Sequence, residues 1–292
     1  MATVAPLIVI TGPTASGKTS LALELATKWG GEIICADSRT IYKGMDIGTA
    51  KPTKSEQKTV RHWLLDVVEP GQRFTAADFQ ELARAAVADI RSRGKIPFLV
   101  GGTGLYVDAV VLNFLFDSDA DFDRRQELEK MTNEQLWSLI LSQHKQLPEN
   151  IKNRRYLIRA IEKNQTITPV KMTPDVNTHV FAIKVEKEVL KERIRLRADS
   201  MFAGKILQET QRLLARYHQN SEAMTGNIYP IVRRLMDGEL SLAEAKERFI
   251  IKDWQLAKRQ ITWLKRHEYV QWLDLKTTKH SVEDILQKFR DA

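Results

Sequence analysis

Cysteine is nearly absent from this sequence: Cys35 is the one cysteine among 292 residues. A single cysteine excludes an internal disulfide framework and any zinc site built from cysteines. It is typical of a reducing compartment, so we expect a cytoplasmic location. Glycine and proline are also scarce, at 14 and 9 residues, which excludes a collagen-like or low-complexity chain.

Long apolar runs are missing as well. The longest are short, such as residues 7–10 and 96–100, whereas a membrane-spanning helix needs about 20 apolar residues. The apolar N-terminal stretch has no basic flank and runs directly into a glycine-rich motif, so we expect no signal peptide. With 43% hydrophobic and 28% charged residues, the composition indicates one or two globular domains with a substantial core.

Positive charge is concentrated in the last third of the chain. The net charge is +8, and its share is +2 for residues 1–114, zero for 115–178 and +6 for 179–292. A solvated helical surface accounts for such an excess. A face that binds polyanions accounts for it equally well, because clustered lysines and arginines supply much of the affinity for phosphate backbones.

Apolar runs alternate with helical patterns over the first hundred residues. This alternation predicts an α/β fold, a P-loop NTPase-like parallel sheet flanked by helices. Apolar residues at spacings of three and four predict a helix over 75–93. The predicted strands cover residues 5–11, 32–36, 63–68, 96–100 and 179–185.

The pattern changes at residues 116–123, where four aspartates alternate with small or apolar residues and indicate a linker. The following stretch, to about residue 165, is helical and rich in charge, with no strand signal. We therefore predict a core of residues 1–115 and 176–292, which ends in basic helices. Residues 116–175 are predicted to form an inserted helical subdomain.

A phosphate-binding loop is the clearest motif. Residues 12–19 match G-x-x-x-x-G-K-[ST] and lie between a predicted strand and a predicted helix. In such a loop, backbone N–H groups, the helix N-terminus and the lysine bind phosphate oxygens, while the final hydroxyl is placed to bind Mg²⁺. The motif predicts a bound di- or triphosphate with Mg²⁺ through Gly12, Pro13, Thr14, Ala15, Ser16, Gly17, Lys18 and Thr19.

Polar side chains follow other predicted strands. Asp37 comes after the second strand, where a carboxylate serves as a general base or caps a turn. Asp66 is placed either to organise Mg²⁺ or to occupy a surface turn. Thr103, in the glycine-rich stretch after the fourth strand, presents a hydroxyl to the same edge of the sheet, where parallel sheets bind ligands.

Together these segments resemble one family, the tRNA dimethylallyltransferases, also called tRNA isopentenyltransferases. The resemblance covers nearly the whole chain and weakens at 115–150 and 200–235. The string from Tyr42 to Pro52 is highly specific, whereas the phosphate loop alone is not. The matching stretches are GPTASGKT (12–19), DSRTIYKGMDIGTAKP (37–52), GGTGLY (101–106), NRRYLIRAIE (153–162) and AKRQITWLKR (257–266).

The resemblance implies transfer of a dimethylallyl group from its pyrophosphate to N6 of the adenosine that follows the anticodon in tRNA. Asp37 matches the general base, Thr103 a hydroxyl near the reacting amine, and Arg197 an arginine that contacts pyrophosphate. Lys18 and the loop hold the pyrophosphate, with Mg²⁺ at Thr19. The inserted subdomain is implied to bind the anticodon stem-loop, and we expect a monomer. The implied tRNA contacts are Asp37, Ser38, Arg39, Thr40, Thr103, Arg155, Tyr156, Leu157, Ile158, Arg159, Lys258, Arg259, Gln260, Ile261, Thr262, Trp263, Leu264 and Lys265.

The sequence departs from the family pattern at two places. Thr40 stands where the family often has glutamine. Residues 225–231, TGNIYPI, replace a Gly-Tyr-Arg-Glu-like turn, of which Tyr229 remains. Among the C-terminal aromatic residues, Trp254 and Trp263 are expected to be core residues rather than base-stacking platforms.

Three other functions are compatible with parts of the sequence. Adenylate isopentenyltransferase shares the phosphate loop and the aspartate, but the +6 C-terminal third and the AKRQITWLKR string argue against it. A small-molecule kinase would use residues 193–197 as a lid over ATP. A non-catalytic, nucleotide-gated RNA-binding protein is disfavoured by the intact Lys18, Thr19 and Asp37.

Overall fold

The computed structural model describes residues 4–116, 122–143, 145–148, 150–162, 168–170, 173–219 and 221–292. The chain divides into two compact units, Met1–Leu112 with Thr173–Ala292, and Asn113–Met172. The inserted unit therefore begins and ends three residues earlier than the predicted 116–175. Within the described part of the chain, no helix is both long and apolar enough to span a membrane.

The larger unit contains a parallel sheet. Its strands are β1 (Leu7–Thr11), β2 (Glu32–Cys35), β3 (His62–Trp63), β4 (Pro97–Gly101), β7 (Thr178–Ile183) and β8 (Gln271–Leu273). They lie in the order β3-β2-β4-β1-β7-β8, and every neighbouring pair is parallel. β1 is buried along its whole length, as expected for a central strand covered by helices on both faces. The predicted α/β fold is confirmed.

Helices connect and cover these strands. They are α1 (Lys18–Trp29), α2 (Lys54–Thr59), α3 (Ala76–Ser92), α4 (Gly104–Val111), α8 (Lys187–Ala203), α9 (Ile206–Leu214), α10 (Tyr229–Met236), α11 (Leu242–Leu264) and α12 (Leu275–Arg290). α3 and α11 each begin with a capping box, in which the N-cap hydroxyl and the N3 carboxylate satisfy backbone N–H groups at the helix start. Leu21, Leu25 and Trp29 of α1 pack against the sheet together with Val282 and Leu286 of α12.

One predicted strand is shorter than expected, and one observed strand was not predicted. The strand predicted over 63–68 is only β3, because Leu64 and Asp66 adopt left-handed backbone conformations, with φ of 61° and 54°, that end the strand ladder. β8, at residues 271–273, was not among the predicted strands and pairs with β7 at the edge of the sheet.

The inserted unit has its own small core. Its helices are α5 (Phe122–Lys130), α6 (Asn133–Ser142) and α7 (Arg154–Glu162), and its strands β5 (Phe114–Leu115) and β6 (Thr168–Pro169) pair antiparallel. The two strands flank the stretch that was predicted to be helical, and the sequence did not predict them. Of the predicted linker, residues 117–121 lie outside the described residues. The core residues are Leu128, Leu136, Ile140, Leu157, Ile158 and Ile161.

Candidate active site

The register of the sheet brings three loops together at one edge. Thr11 lies opposite Gly101, and Cys35 lies opposite Val100, so β1, β2 and β4 end side by side. Their following loops surround a cavity of about 560 Å³. α11 contributes to the wall of this cavity through Phe249, Asp253 and Gln260. The cavity lies where parallel sheets bind their ligands.

The phosphate loop leads directly into α1. Gly17, just before the helix, has φ 92°, a conformation that glycine adopts without the strain of a side chain. Lys18 Nζ donates to the Pro13 carbonyl at 3.1 Å. Burial lowers the pKa of Lys18 to about 8, and the nearby charge of Arg197 acts in the same direction, while Asp37 and Asp253 oppose both. The ammonium group is therefore still largely protonated at neutral pH.

Two side chains from distant helices hold the phosphate loop. Gln260 of α11 accepts a hydrogen bond from Thr14 N at 2.8 Å and donates to Gly102 O at 3.0 Å. It thereby bridges the loops after β1 and β4. Arg197 of α8 donates from Nη1 to Thr14 Oγ1 at 2.6 Å. The sequence predicted Arg197 at the pyrophosphate, but it did not predict that Gln260 bridges these loops.

Asp37 lines the cavity and also closes a turn. Its Oδ1 accepts from Arg39 N at 2.8 Å, so the turn-capping alternative is observed alongside the position expected of a base. Thr103 joins the adjacent loop to this turn, because its Oγ1 accepts from Ser38 N at 3.0 Å and donates to Ser38 Oγ at 3.4 Å. Thr40 is buried beneath, 5% exposed. Ser38 and Thr103 are thus hydrogen-bonded to each other on the cavity rim that also carries Asp37.

The sequence left two roles open for Asp66, organising Mg²⁺ or occupying a surface turn, and its contacts favour the turn. Asp66 accepts a hydrogen bond from Lys51 Nζ at 2.6 Å, and Lys51 also contacts Asp46 at 2.8 Å. Asp66 does not line the cavity, so it belongs to an ion pair in a turn. Within the described ranges, no group of three or more histidine, cysteine, aspartate and glutamate side chains is placed to hold a metal.

A buried glutamate that the sequence did not single out shapes another wall. Glu209 of α9 accepts hydrogen bonds from three successive backbone N–H groups, those of Asp46, Ile47 and Gly48, at 2.8–3.0 Å. Tyr229 Oη donates to the same carboxylate at 2.9 Å. Residues 48–52, which follow this anchor, line the cavity. A glutamate in the middle of an amphipathic helix carries no sequence signal for such a role.

The atypical segment 225–231 also reaches the cavity. Gly226, Asn227 and Tyr229 line it. Tyr229 packs against Gly48, where an added Cβ would lie 2.6 Å from the tyrosine ring. The tyrosine that survives from the family pattern therefore supports the loop anchored by Glu209.

The basic string of α11 is exposed on one face and packed on the other. Lys258, Arg259, Thr262 and Lys265 are exposed, whereas Leu264 is buried. Ile261 is half-buried and packs, like Trp254, against the cluster around Leu190 and Ala257. Trp263 is half-buried, packs against Gly104 and donates to Asp108 Oδ2 at 2.7 Å. Both tryptophans were predicted to be core residues; they pack against neighbouring side chains but are only half-buried.

The predicted tRNA contacts on α7 divide in the same way. Tyr156 and Arg159 are exposed. Leu157 and Ile158 are 0% and 3% exposed and belong to the core of the inserted unit, because α7 turns this face towards α5 and α6. Their side chains are therefore not available at the surface, which corrects the expectation of direct contact. Arg155 lies on α7, and its side chain is outside the described part of the structure.

The sheet, the loop of residues 12–19 and the charged cavity define a P-loop NTPase-like protein. Its cavity places cations and a carboxylate around one phosphate-binding loop. The family model for IPP transferase matches residues 40–267. The chain belongs to this family.

Individual relatives extend over nearly the whole chain. A tRNA dimethylallyltransferase of Staphylococcus carnosus is 35% identical and aligns over 92% of this chain and 90% of its own length. One of Pelotomaculum thermopropionicum is 38% identical over 92% and 91%. The crystal structure of a full-length tRNA isopentenylpyrophosphate transferase from Bacillus halodurans has a TM-score of 0.73 at 34% identity, covering 98% of both chains. A eukaryotic dimethylallyltransferase acting on tRNA also has a TM-score of 0.73, at 25% identity, over 93% of this chain and 74% of its own.

Proposed function

We propose that this enzyme transfers the dimethylallyl group of dimethylallyl pyrophosphate to N6 of the adenosine that follows the anticodon in tRNA. The observation that carries the proposal is the cavity itself, in which Lys18, Arg197, Asp37 and Thr103 surround the phosphate loop. One end of this cavity offers cations for a leaving pyrophosphate. The other offers a carboxylate for the attacking amine.

The cations act on the leaving group. As the allylic C–O bond breaks, negative charge develops on the pyrophosphate oxygens, and Lys18, Arg197 and the loop N–H groups stabilise that charge. Oxygen ligands suit Mg²⁺, and the site would supply them from the hydroxyl at the start of α1 and from the phosphate oxygens of the substrate. Thr19 would hold Mg²⁺ through Oγ1. When bound, Mg²⁺ neutralises part of the pyrophosphate charge.

Asp37 acts on the nucleophile. The lone pair of the exocyclic adenine amine is delocalised into the ring, so the amine attacks well only if its proton is removed as the new C–N bond forms. Asp37 is the carboxylate on the cavity rim that accepts this proton. Thr103, hydrogen-bonded to Ser38 of the same turn, positions the amine.

The exposed cations of α11 and of α7 are the proposed tRNA contacts. Lys258, Arg259 and Lys265 follow the exposed side of α11, on the helix that also carries Gln260 into the cavity. Arg159 and Tyr156 offer a cation and an aromatic ring on α7. Cations paired with aromatic rings suit a phosphate backbone with unstacked bases, and turning the adenine out of its stack costs about a few kcal/mol. We also propose that the enzyme is cytoplasmic and monomeric. The tRNA substrate and the lone buried Cys35 are consistent with the cytoplasm.

The decisive test is the product. Purified enzyme is incubated with unmodified tRNA, dimethylallyl pyrophosphate and Mg²⁺, and the nucleosides of the digested tRNA are analysed by mass spectrometry. We expect a new nucleoside heavier than adenosine by one dimethylallyl group in place of a hydrogen. Prenylation of AMP but not of an anticodon stem-loop would instead establish an adenylate isopentenyltransferase. ATP-dependent phosphorylation of a small molecule would establish a kinase.

A further inference from the structure

Three buried polar atoms around the cavity have no hydrogen-bond partner among the described residues. They are Ser16 Oγ, Arg197 Nε and Asp253 Oδ2, and all three residues line the cavity. Buried polar atoms in folded proteins nearly always have a partner, and leaving one without costs about 1–3 kcal/mol. Such a concentration in one cavity indicates that a bound ligand, or a small rearrangement on binding, completes these contacts.

Asp253 is the least expected member of this group. It lies on α11 with its side chain 3% exposed, and a lone buried carboxylate in a phosphate site would repel the ligand. Its Oδ1 accepts from Asn227 Nδ2 at 3.2 Å. Its Oδ2 lies 3.7 Å from Arg197 Nε. The aspartate is thus fixed on one side and faces the arginine on the other.

Arg197 is held at one edge and free to form a bond at the other. Its Nη1 donates to Thr14 Oγ1, a neutral acceptor that a phosphate oxygen outcompetes, because charge-assisted hydrogen bonds are roughly twice as strong. Closing the 3.7 Å gap between Nε and Asp253 Oδ2 to hydrogen-bond distance requires a movement of only about 0.7 Å. One small shift of the guanidinium therefore satisfies both groups.

We propose that Asp253 is a positioning residue for Arg197: its carboxylate binds the Nε edge of the guanidinium so that the Nη edge meets the pyrophosphate of the donor. This inference rests on the proposed function, because it takes the ligand of the cavity to be that pyrophosphate. The atypical segment 225–231 takes part through Asn227, which fixes the other carboxylate oxygen. Simple repulsion between Asp253 and the ligand makes the opposite prediction, that removing the charge tightens binding.

A double-mutant cycle separates these possibilities. Binding of dimethylallyl pyrophosphate with Mg²⁺ is measured by calorimetry, without tRNA, for wild type, Asp253→Asn, Arg197→Ala and the double variant. We expect Asp253→Asn to raise the donor Kd about 3- to 30-fold, as for coupled neighbours. In the Arg197→Ala background the same substitution should change Kd less than about 2-fold, since it then has no guanidinium to position. Asp253→Ser is tested in parallel, so that the cycle does not depend on one substitution folding.

Two further measurements make the test specific. Inorganic pyrophosphate should show the same loss as the donor, because Arg197 acts on the phosphate end, and the KM for tRNA should stay unchanged. Asp284→Asn, which removes a charge from an exposed position of α12, should leave the donor Kd as in wild type. Unchanged or tighter donor binding in Asp253→Asn overturns the proposal. The proposal also fails if Asp253→Asn weakens donor binding equally in the wild-type protein and in the Arg197→Ala variant. A wild-type enzyme that binds neither donor nor pyrophosphate overturns the proposed function itself.

Discussion

Replacing Glu209 with glutamine should loosen the loop that follows residue 45 without disturbing the sheet. The carboxylate accepts hydrogen bonds from the N–H groups of Asp46, Ile47 and Gly48 and from Tyr229 Oη, and Glu209 is only 5% exposed. Glutamine has nearly the same shape, so no cavity is created. Its amide –NH₂ is a donor, however, and it would face N–H groups that are donors too.

The structure allows the magnitude to be worked out. The substitution removes the charge from four hydrogen bonds and leaves one or two partly buried donors without an acceptor. A buried group without a partner costs about 1–3 kcal/mol, so we expect a loss of about 2–4 kcal/mol in the free energy of unfolding. The loop lines the cavity through Gly48 and Thr49, so turnover should fall as well.

Urea denaturation of the wild type and Glu209→Gln measures the loss, with steady-state turnover measured on the same preparations. Glu247→Gln, at an exposed position of α11, is the matched control and should stay within about 0.5 kcal/mol of wild type. A Glu209→Gln protein as stable as this control would refute the assignment of Glu209 as the anchor of the loop.

The site and the core support four more predictions. Asp37→Asn should keep the fold and tRNA binding but lower kcat about 10²–10⁴-fold; near-wild-type turnover would exclude Asp37 as the base. Lys18→Ala should weaken donor binding, and an unchanged donor Kd by calorimetry would mean that the loop binds something else. Hydrogen bonds from Arg93, opposed by burial and helped by Lys95 and Trp63, lower the pKa of Glu32 to about 2; its contribution to stability is therefore present above about pH 4.5 and lost as the pH falls towards 2. Because its cationic partners are partly exposed, we expect a loss of about 1–2 kcal/mol, measured by denaturation against pH and absent in Glu32→Gln. Neutralising the α11 cations Lys258, Arg259 and Lys265 should raise the KM for tRNA. It should also reduce the salt slope of tRNA binding by about 0.7–0.9 for each phosphate group that the variant no longer binds. Neutralising Lys276 and Lys288 is the control, and an equal effect there would indicate that only the general positive charge matters.

Local patterns were enough to predict the sheet and the phosphate loop. β1 and β4 are short apolar runs that each lead into a glycine, and the spacing of residues 12–19 fixes a strand, a tight loop and a helix start. Asp37 and Thr103 could be placed at the cavity because parallel strands end at the same edge of the sheet. These inferences need no knowledge of how distant segments pack.

Contacts between distant segments could not be predicted in this way. Glu209 meets a loop more than 160 positions away in sequence, and Asp253 meets Arg197 from another helix. Each looks like an ordinary charged residue on a helix. The strand predicted over 63–68 failed for a related reason: Asp66 turns the backbone to reach Lys51, a tertiary ion pair that overrides the local preference for a strand.

Under the proposed function α11 takes part in binding both substrates, and the positions of its side chains are consistent with this. Asp253, Ala257 and Gln260 are spaced by four and three residues, so they lie on one face of the helix, directed at the phosphate loop. Lys258, Arg259 and Lys265 lie on its exposed side. Trp263 fixes the end of the helix against Asp108 and against Gly104, the residue after Thr103. A displacement of α11 by bound RNA would therefore be transmitted to Thr14 through Gln260 and to the loop of Thr103 through Trp263. Gln260→Ala should accordingly change the KM values for donor and tRNA together, whereas Lys258→Ala should change the KM for tRNA alone. Steady-state kinetics with each substrate varied in turn distinguishes the two, and a Gln260→Ala enzyme with altered KM for only one substrate would contradict this coupling.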